Sequence, residues 1–194
     1  SWSGGLGTGS NPSITGNTNI TYTLTVTDVN GCSSTASTAI TVNPNPTATA
    51  GPVLSAICQS GTSAAMGGSV GGGATGGTWS GGAGVWTNAT NPATATYTAS
   101  ATESGTITLT LTTSGGSCGS TTAIKTIVVN ANPTATISPD PATVCAGISL
   151  PLNGNPLGGS GVYTSHAWTG AGAANLNVTN SATPTFNSSS TGTV

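Results

Sequence analysis

The chain has 194 residues, only 2% of them Asp, Glu, Lys or Arg, and a formal net charge of −2. An ordinary soluble domain is about a quarter charged, and here Asp28, Glu103, Asp140, Lys125 and His166 are the whole acid–base set apart from Cys, Tyr and the termini. Acid–base catalysis, metal coordination and phosphate handling need such groups clustered, so we expect no catalytic site, metal or cofactor. A lone cation also leaves no nucleic-acid footprint, and no apolar run nears the ~18–20 residues that cross a bilayer.

The opening Ser1-Trp2-Ser3-Gly4-Gly5 carries no visible leader peptide. With the closing Thr191-Gly192-Thr193-Val194 it reads as the edge of a piece cut from a longer polypeptide. Ile20 to Thr27 alternates strictly, with Ile20, Tyr22, Leu24 and Val26 on one face, the pattern of a half-buried strand. Asp28-Val29-Asn30-Gly31 supplies a turn of the Asn-Gly type. Asp28 and Asn30 alone offer too few oxygens for calcium, and turn chemistry accounts for both. A second strand ends at Ile40-Thr41-Val42, followed by Asn43-Pro44-Asn45-Pro46. Gly67 to Ala74 lacks the Gly-Lys-Ser/Thr ending of a phosphate loop and reads as a flexible loop or strand. Thr106 to Thr112 alternates like the first strand, and a further strand ends at Ile127-Val128-Val129. No stretch carries a helical apolar period, so the fold class is all-β.

The chain repeats. Asn43-Pro44-Asn45-Pro46-Thr47-Ala48 recurs as Asn130-Ala131-Asn132-Pro133-Thr134-Ala135, an offset of 87. Ile57-Cys58 returns as Val144-Cys145 at 87, and Gly31-Cys32-Ser33 as Ser117-Cys118-Gly119 at 86. Trp2-Ser3-Gly4, Trp79-Ser80-Gly81 and Trp168-Thr169-Gly170 form a third series. The division that follows is 1–46 as the C-terminal half of one unit, 47–133 as a complete unit and 134–194 as the N-terminal part of a third. About 87 residues suits one small β-sandwich. Proline-bearing linkers without a flexible spacer join such units stiffly, end to end.

Ile57-Cys58, Trp79-Ser80-Gly81, Tyr22 through Asp28, Asn30-Gly31-Cys32 and Pro44 through Ala48 together resemble the PKD-like, immunoglobulin-like repeats of very large surface proteins of Bacteroidetes. The resemblance covers essentially the whole chain. It implies tandem antiparallel immunoglobulin-like sandwiches in a giant extracellular adhesin or filament, exported by the type IX route and used in gliding or attachment. The fuller charged set of that family is missing, and in the complete unit the run from Ile107 to Thr113 lacks the Asp.

On that architecture Cys58 and Cys118 are expected to pair within the complete unit, stapling a small domain. Closing a 60-residue loop would stabilise it by roughly 4 kcal/mol in the chain-entropy model. Cys32 and Cys145 would then pair outside this piece; a bond between units, such as Cys32–Cys58, is the alternative. Spacings this wide offer no zinc site. Trp2, Trp79 and Trp168 are expected in sandwich cores. Trp86 occurs only in the middle unit, where it either stacks on a sugar ring or serves as an extra packing anchor. His166 has no second His or nearby carboxylate and reads as a surface or strand residue. Glu103 and Lys125 could form a surface ion pair of small value. Asn-x-Ser/Thr sequons lie at Asn19, Asn88, Asn177 and Asn187.

The functional expectation is a stalk or filament segment of a cell-surface adhesin, whose partners are neighbouring repeats of the same chain. The alternatives are repeats that bind surface glycans themselves, or that assemble with other copies into a fibre. Neither nucleic acid nor membrane insertion enters. Lys125 is the sole Lys or Arg, so exhaustive trypsin treatment of the denatured chain should give two fragments by mass spectrometry, split after Lys125.

Overall fold

The computed structural model describes Ser1, Ser3, Ser13 and residues 16–188; the expectation for Trp2 lies outside the described residues. Apart from one 3-10 turn at Ala173–Asn175, every element among the described residues is a strand. Threonine and the β-branched residues favour a pleated, half-buried surface, and Gly, Pro and Asn punctuate it.

Strands β1 (Ile20–Thr27) and β2 (Ser33–Ile40) form an antiparallel hairpin, from Ile20 opposite Ile40 to Thr27 opposite Ser33. Its turn is built by Asp28, whose Oδ1 accepts from the N–H of Asn30 at 2.9 Å and of Cys32 at 2.8 Å. Gly31 takes the left-handed φ of 85° that the turn needs. Asp28 and Asn30 thus serve the turn.

Eight strands follow between residues 46 and 130: β3 (Pro46–Thr49), β4 (Ile57–Cys58), β5 (Ser69–Gly72), β6 (Gly76–Ser80), β7 (Val85–Thr87), β8 (Thr96–Thr98), β9 (Gly105–Ser114) and β10 (Thr122–Asn130). One sheet runs β4-β10-β9-β6; the pairs β3–β5 and β7–β8 lie outside it. β3 packs against β9 and β10, and the layers enclose Met66, Trp79, Tyr97, Leu109, Leu111, Ile127 and Val129. The result is an all-β, immunoglobulin-like sandwich. One ladder departs from the antiparallel pattern: β4 runs parallel to β10, with Ile57 opposite Val129 and Cys58 opposite Asn130. A parallel neighbour needs a crossover rather than a hairpin, and β4 joins β10 from far back in the chain.

The glycine-rich segment is more constrained than a flexible loop. A Cβ on Gly68 would stand 2.9 Å from Cζ2 of Trp79 and 3.2 Å from a Leu111 methyl. The glycine is there so that the indole can lie against backbone. Trp79 is buried, its Nε1 donating to the Pro92 carbonyl at 3.0 Å, and Leu111 is its register partner on β9.

Beyond Asn130 the Asn132 N–H donates to Gln59 Oε1 at 2.9 Å, tying the exit of β10 to the residue after β4. Strands β11 (Pro133–Ser138), β12 (Ser149–Pro151), β13 (Asn153–Gly158) and β14 (Thr185–Asn187) then pair as β11–β13 and β12–β14. Trp168 is half-buried, with its Nε1 donating to the Ser181 carbonyl at 2.8 Å.

Leu111 meets both the indole and the second layer, so Leu111→Ala should destabilise the 46–130 body by about 2–5 kcal/mol. Urea unfolding followed by tryptophan fluorescence measures the loss.

Candidate functional site

The only dense meeting of aromatic and ionisable side chains among the described residues lies where β7 and β8 close over Trp79. Trp86 on β7 stacks on Trp79, with centroids 5.9 Å apart and planes 14° from parallel. Tyr97 on β8 tilts against Trp86 at 5.2 Å and 53°. The Trp86 Nε1 donates to the Gly81 carbonyl at 3.0 Å. Trp86 is half-buried and packs on the core, so its ring spends its contacts on two aromatic neighbours. Those contacts are the ones a packing anchor makes.

Glu103 completes the cluster. Its carboxylate accepts from the Tyr97 hydroxyl and from the Ala83 N–H at 2.8 Å, with a longer contact from the Ser100 N–H at 3.4 Å. The Tyr97 oxygen in turn accepts from the Gly84 N–H at 2.8 Å. Burial by itself would raise the carboxyl; the hydrogen bonds from Tyr97, Ala83 and Ser100 outweigh it and hold Glu103 below its ordinary 4.5. The same environment pushes the Tyr97 phenol up, through burial first and the Glu103 hydrogen bond second.

The surface ion pair expected between Glu103 and Lys125 is not made. Lys125 is only 7% exposed. It points inward from β10, its Nζ donating to the Met66 carbonyl at 2.5 Å and lying 5.6 Å from the Trp79 ring centroid. Strand alternation decides this: Lys125 stands opposite Leu109, on the row that also carries Ile127 and Val129. Burial pushes the ammonium below its usual 10.5. Between that lowered value and 10.5 the native chain binds fewer protons than the unfolded one, so Lys125 makes stability rise with pH through that window.

The Cys58–Cys118 bond is not formed either, and all four cysteines are exposed free thiols. Because β4 runs parallel to β10, Cys58 faces Asn130 at the end of that strand, whereas Cys118 precedes its start at Thr122. Nine residues of strand, roughly 30 Å at about 3.3 Å each, separate two poles that a disulfide would need within about 7 Å. The Cys118 Sγ instead contacts the Asn43 carbonyl of the preceding linker at 3.3 Å. Cys32 lies in the β1–β2 turn and Cys145 ahead of β12.

His166 sits in an irregular segment, half-buried, with its Nε2 enclosed and without a hydrogen-bond partner among the described residues. It lines an apolar cleft of about 300 Å³ with Ala135, Ile137, Pro156, Tyr163 and Trp168. No group of three His, Cys, Asp or Glu side chains gathers among the described residues, and no described helix is long and apolar enough to cross a membrane. Sequence reasoning missed the Tyr97–Glu103 pair and the inward Lys125. Only the alternation of Lys125 with Ile127 and Val129 signalled either.

No protein-family model matches the chain, and no curated protein matches it. Among solved structures it is similar to the extracellular cadherin domains 3–6 of protocadherin gamma B2, at 14% identity, with a TM-score of 0.33 over 90% of this chain. The chain spans 49% of that structure's length. A likeness at this TM-score carries no argument about function, and the fold rests on the strands and layers described above.

The stabilisation from Glu103 is present in full above 4.5 and is lost as pH falls through its lower folded value. Glu103→Gln should therefore cost about 1 kcal/mol at neutral pH. The gap to wild type should close in acid, as read by thermal unfolding across a pH series.

Proposed function

We propose that this chain is a structural stretch of a repetitive extracellular adhesin, a stalk or filament segment that carries a binding region away from the cell surface. Residues 1–46 are the C-terminal half of one repeat, 47–133 a complete repeat and 134–194 the N-terminal part of a third. The observation that carries this reading is the recurrence of one hairpin in one register. Ile20 faces Ile40 as Ile107 faces Ile127, 87 residues later.

Three further features support it. Linkers are short: five residues separate β2 from β3, and two separate β10 from β11. They are held by side chains, Asn19 Oδ1 accepting from the Val42 N–H at 2.8 Å and Gln59 binding Asn132. Three of the few ionisable groups serve a turn, a loop and a core, as a spacer requires. Attachment or gliding, cell-surface display and type IX export follow from the family resemblance and belong to this proposal, as does the presence of neighbouring repeats as partners.

A rod of this kind grows by a fixed step. Duplicating residues 47–133 in tandem should lengthen the particle by roughly 35–45 Å, given strands of about 8–10 residues at ~3.3 Å plus end loops. Small-angle scattering reads that increment, and a maximal dimension that does not grow would reject the rod. The stalk reading also expects no retention on immobilised glycans; retention abolished by Trp86→Ala would assign ligand binding to the repeats instead.

A further inference from the structure

A cysteine stands at each pole of the 46–130 body, beside a linker. At the exit pole Cys58 is the ladder partner of Asn130, and the N–H of the next residue, Gln59, donates to the Asn130 carbonyl at 2.9 Å. Gln59 also grips the exit linker: its Oε1 accepts from the Asn132 N–H at 2.9 Å and its carbonyl from the Asn132 amide at 3.4 Å. At the entry pole the Cys118 Sγ lies 3.3 Å from the Asn43 carbonyl. Both thiols are exposed and free.

Asn43 and Asn130 are one position of the repeat, 87 residues apart. Each follows the second strand of a hairpin in the same register, Ile20 opposite Ile40 and Ile107 opposite Ile127. Each leads through a short linker to a strand that opens with a proline against a glycine, Pro46 with Gly72 and Pro133 with Gly158. The contacts of Asn43 with the repeat after it and those of Asn130 with the repeat before it are therefore two halves of one junction. From the following repeat, a thiol reaches this residue's carbonyl oxygen. From the preceding repeat, Cys58 lies across the ladder from the same residue, and the N–H beside it reaches the same oxygen. Put together, the two cysteines converge on one backbone carbonyl. Neighbouring strands lie about 4.8 Å apart, within the reach of about 7 Å between Cα atoms that a disulfide allows.

We infer that Cys58 of one repeat forms a disulfide with the cysteine at the Cys118 position of the repeat that follows. This bond presupposes the tandem repeats proposed above and adds a covalent tie to their junctions. Two thiols lose their protons and two electrons as the S–S bond forms; a small disulfide such as oxidised glutathione accepts them, its own S–S bond breaking to two thiols. The pairing explains why the cysteines of one repeat sit at opposite poles. It also excludes Cys32–Cys58, since Cys32 lies in the β1–β2 turn, at the end of that hairpin remote from the linker, and Cys58 at the far pole of the next repeat. Each junction would then carry load through two covalent connections, the linker and the disulfide, and the repeats could not splay apart.

The test extends the 194-residue chain by a second copy of residues 47–133 in tandem, so that one junction holds both cysteines. The protein is oxidised in a glutathione buffer, its remaining thiols are capped, and the monomer is denatured and cut with trypsin. Each copy is cut only after Lys125. Cys58 of the first copy and Cys118 of the second thus fall on successive fragments, whereas Cys58 and Cys118 of one copy share a fragment. Mass spectrometry without reductant is expected to find the two fragments joined, and to find them separate after reduction. Cys58→Ser in the first copy or Cys118→Ser in the second should each abolish the joined species, and Cys118→Ser in the first copy should leave it intact. In the unextended chain Cys58 and Cys118 should remain unbonded to each other. Fragments that stay separate, a bond inside one fragment, or a link that survives Cys58→Ser in the first copy would each overturn the inference. The growth in particle length read by scattering would be untouched by any of these, so the stalk proposal would stand or fall separately.

Discussion

The seating of Trp79 is the interaction on which the rest of the sandwich depends. An indole lies flat only where the facing backbone lacks a side chain, which fixes Gly68. Its N–H must find an acceptor once buried, which fixes the loop that brings the Pro92 carbonyl to it. Its other neighbours are Leu111 across the ladder and Trp86 stacked above. One ring therefore ties β5, β6, β7 and β9 together. Where the same ring–glycine pair recurs at Trp168 and Gly154, the local hydrogen bond recurs with it while the cover of two long strands does not. The ring and its glycine are a local arrangement, whereas burial is a property of the complete layer.

Scarcity of charge takes on a specific meaning in this setting. Glu103 holds three donors that close the loop ahead of β9, Asp28 closes a hairpin, and Lys125 lies under the core tryptophan. A buried ammonium without a carboxylate partner works against stability, and the carbonyl of Met66 and the indole face offset only part of that cost. Three of the few ionisable side chains are thus structural. The outward surface is left to hydroxyls, amides and small apolar groups, which is poor protection against self-association.

Much of this was legible in the sequence. The alternation in Ile20–Thr27 and Thr106–Thr112 reports period-2 burial directly, and Asp28-Val29-Asn30-Gly31 names its own turn. The recurrence of Trp and Cys markers set the 87-residue spacing before any strand was placed. The cysteines show where the reasoning stopped. Residues near the two ends of a unit were expected to meet at one pole, and that expectation depends on strand direction. β4 runs with β10 rather than against it, which sends Cys58 and Cys118 to opposite poles. Lys125 failed for a related reason: a charged side chain reads as outward until its register partner, Leu109, shows which row it occupies.

The sequence by itself determined the alternating runs at Ile20–Thr27 and Thr106–Thr112, the Asp28-to-Gly31 turn and the 87-residue recurrence, because these follow from local alternation, from backbone preferences of Gly, Pro and Asn, and from repetition. Tertiary structure alone decided which strands are neighbours, in which direction they run and which faces are covered. Those outcomes depend on contacts between residues far apart in the chain, and no local pattern encodes them. Thus β3 and β11, nearly identical as sequence, end as an alternately packed strand and a fully exposed one. The physical difference is a hairpin placed over the first and absent, among the described residues, from the second.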